Sequence, residues 1–161
     1  MENVQEVMVK MATDSWNGYL KRTDSLFKEL SDEQLQKEVS PGRNTGVYLL
    51  GHLVAVHDSM IALLGLGEKK YPELEIPFIK SPDKSGLPFP AINELKNYWN
   101  EINQQVAQQF AALTPAEWFM KHTAVTEEDF AKEPHRNRLN VLLSRTSHLA
   151  SHYGQLIFLK S

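Results

Sequence analysis

A chain of 161 residues, 42% of them apolar, has the length and hydrophobic content of a single domain, residues 1–161, around one closed core. A formal net charge of −3 supplies no positive field to gather nucleic acid or an anionic membrane surface, so neither is expected as a partner. Zero cysteines exclude disulfides, thiolate ligands and a cysteine nucleophile, and leave His, Asp and Glu as the residues able to hold a metal.

The opening residues Met1-Glu2-Asn3-Val4-Gln5-Glu6 place polar groups inside the first turn, which does not read as a secretory signal. A cytoplasmic protein is expected. Val4, Met8, Met11, Leu20, Phe27 and Leu30 step mostly by three or four and predict a first helix over about 4–30. Pro41-Gly42-Arg43-Asn44-Thr45 then offers turn formers and an N-cap for a second helix over about 45–65. Leu49, Leu53, Val56, Met60, Leu63 and Leu64 share one arc of that helix. Its neighbourhood, Val47 to Leu66, is the most apolar stretch of the chain. His52, His57, Asp58 and Ser59 break it well short of the roughly 18 apolar residues that a membrane span needs.

From about 66 to 90 the chain carries Pro72, Pro77, Pro82, Pro88 and Pro90 with Gly67 and Gly86, so it holds neither a continuous helix nor a central strand. It reads as a long crossover that frees the second and third helices to run in either relative direction. Pro90 sits where a third helix begins, and Ile92, Leu95, Trp99, Ile102, Val106, Phe110 and Leu113 line its apolar face. A fourth helix is expected over about 138–160, with Leu142, Leu149 and Leu156 seven apart and Val141, Ile157 and Leu159 widening the face. Two capping-box segments, Ser31-Asp32-Glu33-Gln34 and Thr114-Pro115-Ala116-Glu117, follow the first and third helices. The parallel extends to Phe27–Ser31 with Phe110–Thr114 and to His52-Leu53 with His148-Leu149. Two related helix pairs would produce it, and so would local capping alone. No alternating strand pattern appears, so the fold class is all-α, a four-helix bundle.

His148 and His152 lie four apart on the fourth helix, with their rings on one face about 6 Å apart, close enough to share a metal ion. Val141, Gln155 and Leu159 fall within about 20° of His148, and Leu149 and Leu156 about 80° to 100° away, so the pair borders the buried arc. His52 stands in the same relation to the second helix, near Leu63 and Val56 in angle. A lone inward histidine is ordinarily a core residue bonded to a carbonyl or carboxylate. Three facing the same core are a metal-site pattern. His57, about 140° around the helix from His52, is read with His122 and His135 as surface or boundary histidine without a role.

Three neutral imidazoles leave coordination positions open to water or substrate, the arrangement of catalytic sites. Gln155, one turn past His152, and Ser144, one turn before His148, are candidates to orient the rings. Arg145, about 60° from His148, is either a receptor for an anionic substrate or an ordinary solvated or salt-bridged arginine.

Ser147-His148-Leu149-Ala150-Ser151-His152-Tyr153-Gly154-Gln155-Leu156 resembles the H-x-x-x-H-x-G-Q signature near the C-terminus of the DinB/YfiT-like proteins. Leu50-Gly51-His52-Leu53 is similar to their helix-two histidine motif, and the likeness in helix order and loops covers nearly the whole chain. The resemblance implies a four-helix bundle of unusual helix order, His52, His148 and His152 on a divalent metal ion, and a homodimer. Zn or Ni suits such a site first, with Fe and Mn also admissible. Characterised members include transferases that join low-molecular-weight thiols to electrophiles, and the family name reflects induction by DNA damage, not DNA binding. The expected function is a metal-dependent enzyme, thiol transferase or hydrolase, acting on a small molecule. The alternatives are a metal-containing domain without catalysis and a helical interaction module. The crossover, with Trp99 or Trp118 as apolar walls, is a candidate pocket for the electrophile, or else those tryptophans are core packing.

Overall fold

The computed structural model describes residues 3–161, so Met1 and Glu2 of the amino-terminal stretch read above lie outside it. Helix α1, Val4–Glu29, opens on a capping box in which Asn3 accepts from the Gln5 amide and Glu6 reaches back to Asn3. The short α2, Asp32–Leu35, opens on the Ser31/Gln34 box, and α5, Pro115–Trp118, on the Thr114/Glu117 box. Thr45 caps α3, Gly46–Leu63, through its hydroxyl, and α4 spans Ile92–Ala112. Helix α7, Arg138–Leu156, starts at the side chain of Asn137 and tightens at its end into a 3₁₀ turn, Ile157–Lys160, where an unbroken α-helix was expected.

One further helix, α6, Glu127–Lys132, lies in a stretch that carried no prediction. Its signal was present: Thr126 as N-cap followed by three acidic residues, which favour a helix N-terminus. Among the described residues there is no strand, only the isolated bridges Glu38–Thr45 and Lys121–Asn137.

The four long helices form the bundle, with α1 packed along α7 and α3 along α4. Side-chain pairs fix the directions. Tyr19 meets Tyr153 and Glu29 meets Lys160, so α1 and α7 are parallel. His57 meets Asn103 and Gln109 bonds to the Leu66 carbonyl, so α3 and α4 are also parallel. Gly46 faces Leu159 while Gly65 faces Arg138, which makes α3 antiparallel to α7. Trp16 with Phe110 and Phe27 with Trp99 fill the space between the antiparallel α1 and α4.

Parallel α3 and α4 require the chain between them to travel the length of the bundle. That segment is organised, with a 3₁₀ turn at Pro72–Leu74 and a widened π-type turn at Ile76–Lys80. It is anchored to α3 at both ends. The buried carboxylate of Asp58 accepts the amides of Lys70 and Tyr71, at 2.7 and 2.8 Å. At the far end Tyr48 donates to the Ser81 carbonyl, and Asp83 accepts from both the amide and the hydroxyl of Thr45.

Helix α3 is buried on nearly every side, with Leu49, Leu50, Leu53, Val54 and Met60 at 0% exposure. By length and composition alone it is apolar enough to cross a membrane, which amends the expectation that no stretch reaches that measure. Since 72% of that window is buried inside the bundle, its all-round apolar character is that of a core helix.

Gly51 sits at the closest approach between α3 and the π-type turn. A Cβ there would run into the ring of Phe78, which is itself fully buried. Gly51→Ala gains helix propensity of about 1 kcal/mol but overpacks the contact at about 1–3 kcal/mol. Urea unfolding should therefore show no gain and a net loss of up to about 2 kcal/mol, against the gain seen at an exposed helical glycine.

Candidate metal centre

Helices α3 and α7 approach each other less closely than the pairs α1–α7 and α3–α4, and imidazoles bridge the gap. His52 comes from α3, and His148 and His152 from successive turns of α7, all three half-buried. Their Nε2 atoms converge: His148 Nε2 lies 3.0 Å from His52 Nε2 and 3.1 Å from His152 Nε2. The ring planes of His148 and His152 stand at 84° to each other, and His52 packs against both with centroids 5.0 Å away.

The opposite nitrogens explain why the rings face this way. His52 Nδ1 donates to the Phe78 carbonyl at 2.6 Å, and His152 Nδ1 donates to Gln155 Oε1 at 2.8 Å. With the protons committed there, Nε2 of both rings is a bare lone pair. His148 Nε2 lies between the two and has at most one proton to offer. At least one lone pair is left facing another, an arrangement that a cation relieves. Nitrogens held about 2.0–2.1 Å from one ion lie near 3 Å apart, so the observed separations fit. The cluster is compatible with binding a divalent metal.

The electrostatics keep the donors neutral. Burial, then the neighbouring His152, His52 and Arg145, hold His148 down at about 3. His52 is lowered by burial, against the opposing bond to Phe78, and His152 by burial, against its bond to Gln155. All three are therefore neutral imidazoles at neutral pH, each with one nitrogen lone pair to offer.

The sequence profile of the DinB superfamily matches residues 18–156, which include His52, His148 and His152. The chain belongs to the DinB superfamily. No curated protein gives a significant match to it.

Of the residues proposed to orient this DinB-superfamily site, Gln155 makes its bond. Ser144 is instead exposed and bonds to none of the histidines. The carbonyl of Phe78 was not anticipated, because a main-chain acceptor 26 residues from His52 leaves no mark in residue type. Trp99 and Trp118 are 2% and 1% exposed and pack on Phe27 and Phe110, so they are core residues, and the clefts they border, beside Asn103 and beside Phe110, include none of the three histidines.

His57 is the main correction. It is not a surface residue but fully buried, between Trp16 and Trp99 at 4.9 and 5.2 Å. Its angle from His52 was read correctly, but α3 is buried all round, so the far side of the helix faces the aromatic layer of α1 and α4. Its Nδ1 donates to Asn103 Oδ1 at 2.7 Å, and Asn103 passes its own amide proton to the Trp99 carbonyl. His122 is partly exposed and His135 exposed, in keeping with the boundary and surface reading.

Burial holds His57 at about 4, below its ordinary 6.5. The unfolded chain therefore binds a proton between those values that the folded chain refuses, and stability falls as pH drops through that window. In the metal-free protein, His57→Gln should reduce the slope of unfolding free energy between pH 6.5 and 4 by up to about 1.4 kcal/mol per pH unit. Urea titrations at several pH values measure it, and an unchanged slope would contradict the assignment.

Proposed function

We propose that this protein is a metal-dependent enzyme of the cytoplasm in which His52, His148 and His152 hold one divalent ion, zinc or nickel foremost, and a small thiol is the cosubstrate. The observation that carries the reading is the convergence of three neutral Nε2 atoms whose Nδ1 protons are already committed or buried. A bound ion would act as a Lewis acid that favours the thiolate over the thiol at neutral pH, or lowers the pKa of water for hydrolysis.

The protein's own part is to present three neutral donors on two braced helices. His52 is locked by Phe78 and stacked against Tyr48, whose ring lies nearly parallel at 12°. Gln155 holds His152 and also lines a cleft of about 210 Å³ with Val39, Gly42, Arg43 and Asn44. With no cysteine in the chain, the sulfur has to arrive with the cosubstrate.

The test is elemental analysis followed by turnover. Purified protein should carry about one divalent ion per chain, and His148→Ala with His152→Ala should abolish it while far-ultraviolet circular dichroism stays helical. Chelation should likewise leave the helices intact, since the apolar core is complete without the ligands. Metal-loaded protein with a low-molecular-weight thiol and a chromogenic electrophile should show a rate that His52→Ala loses. Equal rates would refute the thiol reading, and unchanged metal content would refute the site.

The proposed assembly is a homodimer. It is supported by the exposed apolar stripe of α1, where Val4, Val7, Met8 and Met11 are 71, 38, 48 and 67% exposed at helical spacing. Sedimentation should give twice the 18.4 kDa chain mass, and Met8→Glu with Met11→Glu should return it to the monomer value.

A further inference from the structure

Arg145 is half-buried on α7, three residues before His148, and its charge acts on His148, His52 and His57. The antiparallel pairing of α3 with α7, which sets His52 beside His148 and Gly65 beside Arg138, brings Arg145 level with the next turns of α3 beyond His52. Its Nε is buried and has no hydrogen-bond partner. Among the described residues no aspartate or glutamate forms an ion pair with it, and burial holds its guanidinium below the ordinary arginine range.

Nor does any carboxylate act on the three histidines. Among the described residues, no carboxylate is thus placed to balance a cation at the centre. Three neutral imidazoles leave the full charge of a divalent ion uncompensated, and Arg145 adds another positive charge nearby. A guanidinium partly removed from water, with its buried Nε unpaired, is unfavourable to the fold, and a neighbouring dication would make it more so. Its flat, forked donor set is the side chain best matched to an oxyanion.

We propose that Arg145 is the specificity element of this site, receiving an oxyanion group, carboxylate or phosphate, at one end of a small substrate whose other end reaches the three histidines. The identity of that other end rests on the thiol reading above; the anion requirement does not. An uncharged thiol would then be a poor cosubstrate, and the same thiol bearing a carboxylate a good one.

The experiment compares wild type, Arg145→Gln and Arg145→Lys by calorimetry at constant ionic strength, metal-free and loaded with cobalt(II), whose visible spectrum reports ligand binding. The probes are 3-mercaptopropionate, uncharged 2-mercaptoethanol, succinate and inorganic phosphate. Cobalt-loaded wild type should bind 3-mercaptopropionate at least about tenfold more tightly than 2-mercaptoethanol. Arg145→Gln should bring that ratio to within about twofold while 2-mercaptoethanol affinity and cobalt content stay unchanged, and Arg145→Lys should recover part of it. Succinate or phosphate should bind metal-free wild type and lose most of that affinity in Arg145→Gln, the tighter of the two naming the oxyanion.

If neither thiol binds but succinate or phosphate binding still depends on Arg145, the thiol reading fails and the anion subsite stands. If cobalt does not load, the metal-free measurements decide. Anion binding that is absent in wild type, or equal in wild type and Arg145→Gln, overturns the proposal.

Discussion

The hydrogen bond from His52 to the Phe78 carbonyl is the contact on which the centre depends. It decides which nitrogen of His52 is bare, and it does so with an atom from the segment that joins α3 to α4. The bond exists because the Phe78 ring is pressed against Gly51, one residue before His52, where no side chain intervenes. Anchors at Asp58, Tyr48 and Thr45 stop the segment from sliding along α3. Core packing and the orientation of His52 are thereby coupled through a single residue, whose ring belongs to the core and whose carbonyl holds the histidine.

The parts of the structure that were legible in the sequence are those governed by local rules. The four long helices follow from apolar spacing, and the capped turns after α1 and α4 from Ser31/Gln34 and Thr114/Glu117. His148 and His152 could be paired because an i, i+4 spacing fixes their relation before any tertiary contact forms. Uniting His52 with them required the family resemblance or the inward faces of two separate helices.

What escaped the reading was set by contacts distant in sequence. A carbonyl has no residue identity, so Phe78 gave no sign of its role. The burial of His57 depends on α3 being enclosed by α1, α4, α7 and the segment after it, whereas a helical wheel presumes one wet face. Ser144 and Gln155 looked equivalent by spacing and both are exposed, yet only Gln155 reaches a histidine ring.

The layout of the ligands also has a kinetic side. His52 and His148 meet across 96 residues of chain, and the segment that orients His52 lies between them in sequence. During synthesis His52 emerges 96 residues before His148, so the first histidine waits for α4 and α7 to follow it. Until α7 docks, an ion would find at most two imidazoles on a fluctuating helix, a weak and unselective clip. An ion held by all three histidines would therefore be bound only after the fold has closed, and its selection would fall to the finished bundle, not to the emerging chain.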